Sequence, residues 1–135
     1  MQVMVVDMKL KSISYYDSMP SKGYRYVKLM KRYLVDELKA KKKLVAVHKW
    51  RWRMIARPAD VAQQTNIHDC GVFVCAFCYF ICNGIPLKLL SQKDIVYFRR
   101  HIALSISKRT IYPNPSDCWN TAPGWSTAPG FVPYR

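Results

Sequence analysis

Apolar and polar positions change their period several times along this chain. Val3-Met4-Val5-Val6 is a short apolar run, and the polar Asp7-Met8-Lys9-Leu10-Lys11 separates it from the partly alternating Ser12-Ile13-Ser14-Tyr15-Tyr16. β-Branched and aromatic residues in that arrangement predict two strands joined by a tight connection. Asp17 to Gly23 is dense in turn residues. From Tyr24 to Lys41 the spacing becomes helical, with Val27, Met30, Leu34 and Leu38 on one face and Lys28, Lys31, Arg32 and Lys39 between them. Leu44–Val47 and Trp50–Ile55 read as short strands, stopped by Arg57-Pro58-Ala59-Asp60. Val72 to Cys82 is apolar all round and long for a strand, so it predicts a buried helix ended by Asn83-Gly84 and Pro86. Ser91 and Asp94 carry the spacing of a helix cap. Ile95, Phe98, Ile102 and Ile106 then continue at helical steps to about Lys108.

After Arg109 the pattern stops. Thr-Ala-Pro-Gly-Trp (121–125) and Thr-Ala-Pro-Gly-Phe (127–131) form a small repeat rich in Pro and Gly that cannot build a core. The expected organisation is one domain over 1–109 and a disordered tail over 110–135. Half of the 135 residues are apolar, which suits a packed domain that is short for an enzyme.

Charge narrows the partners. Lys and Arg number 22 against 8 Asp and Glu, a net +14, with much of the excess between Lys22 and Arg57 and its densest run at Lys41-Lys42-Lys43. A basic surface favours nucleic acid, anionic membrane or an acidic protein, and charge alone does not choose. No apolar run reaches the ~20 residues that cross a bilayer. Met1-Gln2 leads into a strand without a secretion-signal pattern. Five cysteines without such a signal predict reduced thiols in the nucleus or cytoplasm.

Cys70 is the first chemical candidate. At the start of a helix, unpaired N–H groups and the dipole favour a thiolate nucleophile, with Asp69 as the capping residue. A free cysteine is otherwise a small core residue. Cys75, Cys78 and Cys82 share a helical face, but no second Cys pair stands at ligand spacing, so they are expected to pack in the core and hold no metal. Asp17 either closes its turn or orients a histidine ring. Gln64, six residues before Cys70, is either a solvated loop amide or a donor to an oxyanion. None of His48, His68 and His101 has a sequence argument for the base, and all three read as ordinary surface or satisfied residues.

Gln63-Gln64-Thr65-Asn66-Ile67-His68-Asp69-Cys70-Gly71-Val72-Phe73-Val74-Cys75 resembles the Ulp/SENP cysteine proteases, which process SUMO and related modifiers. Val5-Val6-Asp7, Ile13-Ser14-Tyr15-Tyr16-Asp17-Ser18-Met19, Pro86-Leu87, Gln92 and Arg99 to Ile102 extend the similarity from Met1 to about Ser107. The resemblance implies a papain-related α/β (α+β) fold, a mixed sheet packed on a central helix headed by Cys70. It implies Cys70 as nucleophile, Asp17 as the histidine-orienting carboxylate and Gln64 as oxyanion donor, with no cofactor. The implied partners are SUMO or another ubiquitin-like modifier and its conjugates, met by a monomer.

This sequence departs from the family pattern in several places. The family's catalytic His-Trp pair aligns one residue ahead of Met1 and on Met1, so the chain reads as the C-terminal part of a catalytic domain that begins too late for its base. Ile67 stands at a usual Gly and Ala62 at a usual Pro. The tail has no counterpart in the pattern. The expected function is removal of such a modifier, and maturation of its precursor, by a thiol protease that is inactive as this fragment. The alternatives are a catalytically dead modifier-binding remnant and a basic nucleic-acid-binding domain. The last rests on Trp50 and Trp52 among Lys49, Arg51 and Arg53, and nucleic acid is not the expected partner.

Overall fold

The computed structural model describes residues 1–41, 51–56 and 61–110. The strand expected over 44–47, the Lys42-Lys43 part of the basic run, the break at 57–60 and the tail from 111 onward lie outside the described residues.

The two alternating runs form an antiparallel pair, β1 (Gln2–Asp7) and β2 (Ser12–Asp17), in which Gln2 faces Asp17 and Asp7 faces Ser12. The connection is closed by Asp7, whose Oδ1 accepts the Leu10 amide at 2.7 Å, and by Lys11 in the left-handed region at φ 51°. After helix α1 (Tyr24–Ala40), a short strand β3 (Arg53–Ile55) lies parallel to β2, giving a mixed three-stranded sheet in the order β1-β2-β3.

Strand alternation sends side chains to two separate cores. On one side Ile13 and Tyr15 of β2 meet Val27 of α1 and Trp52, with Met30, Leu34 and Leu38 packed around them. That is the face the helical spacing predicts. On the other side Val3 and Tyr16 pack against the helix α2 (Cys70–Cys82), which in turn packs on α3 (Ile95–Lys108). The inward face of α2 is Phe73, Ala76, Phe77 and Phe80, all at 0% exposure.

Cys75, Cys78 and Cys82 lie on the opposite face of α2 and are exposed, which corrects their expected place in the core. In an all-apolar run the hydrophobic pattern cannot say which face turns inward. Here four large or close-packing residues at steps of three and four take the interior, and the thiols take what remains.

The turn Asn83-Gly84 ends α2, with Gly84 in the left-handed region at φ 66°. Ser91 and Asp94 make the expected capping box, but on a single 3-10 turn, Gln92–Asp94, that leads into α3. Ile95 and Phe98 of α3 are buried, and His101 joins them. Its ring lies edge-on to Tyr79 at 5.6 Å and to Phe98 at 6.4 Å. Burial pushes the imidazole below its ordinary pKa. Ile106, at helical spacing from Ile102, is instead 73% exposed.

Gly23 is required for space, not for its backbone angles. It stands at the start of α1 with its N–H on the Ala56 carbonyl at 3.0 Å. A Cβ there would meet the Tyr15 ring at 2.2 Å. The ring has little room to yield, since it stacks on Tyr26 at 5.6 Å and its hydroxyl donates to Asp17. Gly23→Ala is therefore expected to cost about 1–3 kcal/mol, read as a lower urea midpoint. An unchanged midpoint would show that the contact is easily relieved.

Candidate active site

Three elements meet where the candidate residues stand: the end of β2, the loop 61–69 and the start of α2. Asp17 is the last residue of β2 and is buried. Its Oδ1 accepts the Met19 amide at 3.0 Å, and its Oδ2 accepts the hydroxyls of Ser21 at 2.5 Å and Tyr15 at 3.1 Å. Burial pulls this carboxyl upward. Donation from Ser21, Met19 and Tyr15 outweighs it, the Met1 ammonium adds an attraction, and Asp17 ends below its ordinary pKa. Tyr15 moves up, chiefly by burial and further because its hydroxyl donates to that anion. Asp17 thus closes its turn, as one of its two expected roles required. It is also held ionised, which the other role needs.

Gln64 is tied to the same strand end. Its backbone N–H donates to the Ser18 carbonyl at 2.8 Å, and its Oε1 accepts the Ser18 hydroxyl at 2.6 Å. Its Nε2 donates to the Asn66 carbonyl. A carboxamide nitrogen carries two hydrogens, so one remains for another acceptor while the plane of the group is fixed. Gln63 adds a bond from its Nε2 to the Asp17 carbonyl at 3.0 Å.

The loop then runs to Cys70 through Asp69. The Asp69 side chain does not cap α2, contrary to expectation. It accepts instead from Asn66 Nδ2 at 2.7 Å, from Gln92 Nε2 at 2.8 Å and from the Arg99 guanidinium of α3. These donors reach it from 3, 23 and 30 residues away. Three donors, one of them a charged guanidinium, engage the carboxylate in place of the helix amides. Asn66 first and Arg99 next, with lesser help from Gln92, outweigh the opposing effect of burial and hold Asp69 down from 3.8 to about 2.

Asp17, Ser18, Gln64, Asn66, Asp69 and Cys70 therefore form one chain of covalent and hydrogen-bonded neighbours. Cys70 opens α2, where first-turn N–H groups lack acceptors within the helix and favour an anion. Its side chain is part-exposed, so a reacting carbonyl has access. Ile67, three residues before it, is 88% exposed. His68 is exposed, His101 is in the core, and His48 lies outside the described residues. Among the described residues, no three of His, Cys, Asp or Glu are grouped to hold a metal ion, and no helix is long and apolar enough to cross a membrane.

Comparison with known proteins gives the family. The profile of the Ulp1 protease family, C-terminal catalytic domain, matches residues 2–112. This chain belongs to that family. The mixed sheet, the central α2 and Cys70 at its head accord with the papain-like fold of Ulp1 proteases.

The chain is 30% identical over 105 residues to sentrin-specific protease 2 of Homo sapiens, covering 77% of this chain and 18% of that protein. It is 35% identical over 105 residues to the putative ubiquitin-like-specific protease 1B of Arabidopsis thaliana, covering 76% and 29%. With sentrin-specific protease 3 of Mus musculus the identity is 31% over 97 residues, covering 72% and 16%. The chain spans less than a third of the length of these Ulp1-family relatives.

Sequence reasoning missed the supporting residues Tyr15, Ser21, Asn66 and, as partners of Asp69, Gln92 and Arg99. Tyr15 was within reach of a local argument, because it lies two residues from Asp17 on the same strand face. The bond from Arg99 crosses 30 residues and carries no local signal.

Proposed function

We propose that this chain is the nucleophile-bearing part of a cysteine peptidase that releases a ubiquitin-like modifier, SUMO or a relative, after the modifier's C-terminal glycine. The reading rests on the family, on the names of its relatives and on one observation. A hydrogen-bonded chain ties Asp17 and Gln64 to the loop that ends at Cys70. The protein acts as a monomer in the nucleus or cytoplasm, where its thiols stay reduced.

Cys70 Sγ attacks the carbonyl carbon, and the free N–H of Gln64 with first-turn amides of α2 stabilises the oxyanion. Collapse breaks the C–N bond, the amine leaves protonated, and water hydrolyses the thioester. Asp17 orients the histidine that carries the protons. The β1–β2 register supports this role, because Gln2 faces Asp17 and the start of β1 therefore lies at the Asp17 end of the sheet.

A second reading, a modifier-binding protein that does not cleave, is favoured by His101 being in the core and so removed from proton transfer. One experiment separates the two. A ubiquitin-like probe with a C-terminal electrophile is offered to this chain and to an upstream-extended version carrying the His-Trp pair. Labelling is expected at Cys70, faster in the extended protein and abolished by Cys70→Ala. Probe binding without labelling of the extended protein would establish the second reading. If a folded extended protein neither binds nor labels with any ubiquitin-like probe, both readings fail.

A further inference from the structure

The outer face of α1 carries a feature that peptide cleavage does not use. Arg25, Lys28 and Lys39 are exposed and lie in one row, within about a sixth of a helical turn and along about 21 Å of axis. Arg32 and Asp36 lie in the same row and pair with each other at 3.7 Å, which leaves the row a net cationic track, while Glu37 lies off it on Lys41 at 2.8 Å. Nearly a third of a turn around the helix from the cationic row runs a second row, Tyr26, Leu29 and Tyr33, with exposures of 45%, 51% and 58%. The Tyr26 ring is already stacked flat on Tyr15, with the planes 4° apart. One face of that ring is thus held by the fold while the side chain stays nearly half exposed.

We propose that this face binds single-stranded nucleic acid, with Arg25, Lys28 and Lys39 on its phosphates and Tyr26 and Tyr33 under its bases. A cationic track alongside flat aromatic rings is the combination that a single strand fills, because each nucleotide presents an anion and a π-face at fixed separation. An acidic protein would use the cations and leave the rings in water. A membrane surface would need the apolar stripe of α1, but Val27, Met30, Leu34 and Leu38 are packed against the sheet. The inference does not depend on the chemistry of Cys70.

The test is fluorescence anisotropy of the 135-residue chain with labelled oligothymidylate and oligouridylate about 12 nucleotides long, between about 50 and 200 mM salt. Both strands are expected to bind alike, because nothing in the two rows reads the 2′-hydroxyl. Each of Arg25→Gln, Lys28→Gln and Lys39→Gln should reduce the slope of log affinity against log salt by about 0.7. Tyr33→Ala should weaken binding roughly ten-fold with that slope unchanged. All four positions are exposed, and unchanged urea midpoints verify folding. Equal or tighter binding to polyglutamate of matched length would make an acidic protein the occupant. Capture on phosphatidylserine vesicles in place of the oligonucleotides would make it a membrane. Either result, or affinity indifferent to these variants, overturns the proposal.

Discussion

Phe77→Ala is expected to lower folding stability by about 3–5 kcal/mol, a loss at the upper end for a core substitution. Phe77 is fully buried and sits where α2 meets the sheet. Its ring contacts Tyr16 of β2 at 6.3 Å and Phe73 of its own helix at 5.8 Å. Truncation removes those contacts and leaves a void that neighbouring aromatic rings, already fixed by one another, cannot collapse to fill. Domains hold a margin of only about 5–15 kcal/mol, so urea unfolding should begin in dilute denaturant. Cys78→Ala, one residue further on and facing out, is expected to change stability by less than about 0.5 kcal/mol. The pair of substitutions tests which face of α2 is inside. Comparable losses from both would put the thiols back in the core.

The uneven legibility of α2 has a physical cause. That residues 70–82 form a helix headed by Cys70 followed from run length and the flanking Asn83-Gly84. Its orientation did not, because every side chain in the run is apolar by class and a period is visible only against contrast. In α1 the contrast exists, and Val27, Met30, Leu34 and Leu38 are the residues that pack inward. The same limit governs the site. Asp17, Gln64 and Cys70 were singled out with the help of a family pattern, and the fold joins them by bonds from Ser18, Gln63 and Asn66. Asp69 was read as a cap because it stands at the helix start, where its own helix's amides lack acceptors. Asn66 is a local competitor, three residues away, and the other two partners, Gln92 and Arg99, come from 23 and 30 residues off, where only folding brings them close.

Those partners make Asp69 the second residue whose loss should be felt strongly. Asp69→Ala removes one acceptor from Asn66, Gln92 and Arg99 together, and an expected cost of about 2–3 kcal/mol follows. The figure is set below that of a fully buried ion pair, because Arg99 is 49% exposed and water takes over part of its charge. Asp69→Asn keeps an acceptor of similar shape and should cost less, which separates the charge from the packing. Acid supplies an independent check. The carboxyl titrates near 3.8 in an unfolded chain and at about 2 in the fold. As pH falls the unfolded state therefore binds its proton first. The contribution of Asp69 is complete above about 4 and is lost as pH drops toward 2. Asp17 is lowered as well, so the wild-type curve alone mixes two groups. The stability difference between wild type and Asp69→Asn isolates one of them, and it should shrink across that interval. A difference that stays constant from neutral pH to pH ~2 would mean that Asp69 is not held by charge. The labelling rate at Cys70 should fall in parallel with the loosened loop, because Gln64 reaches its place through Asn66, and Asn66 is anchored on Asp69.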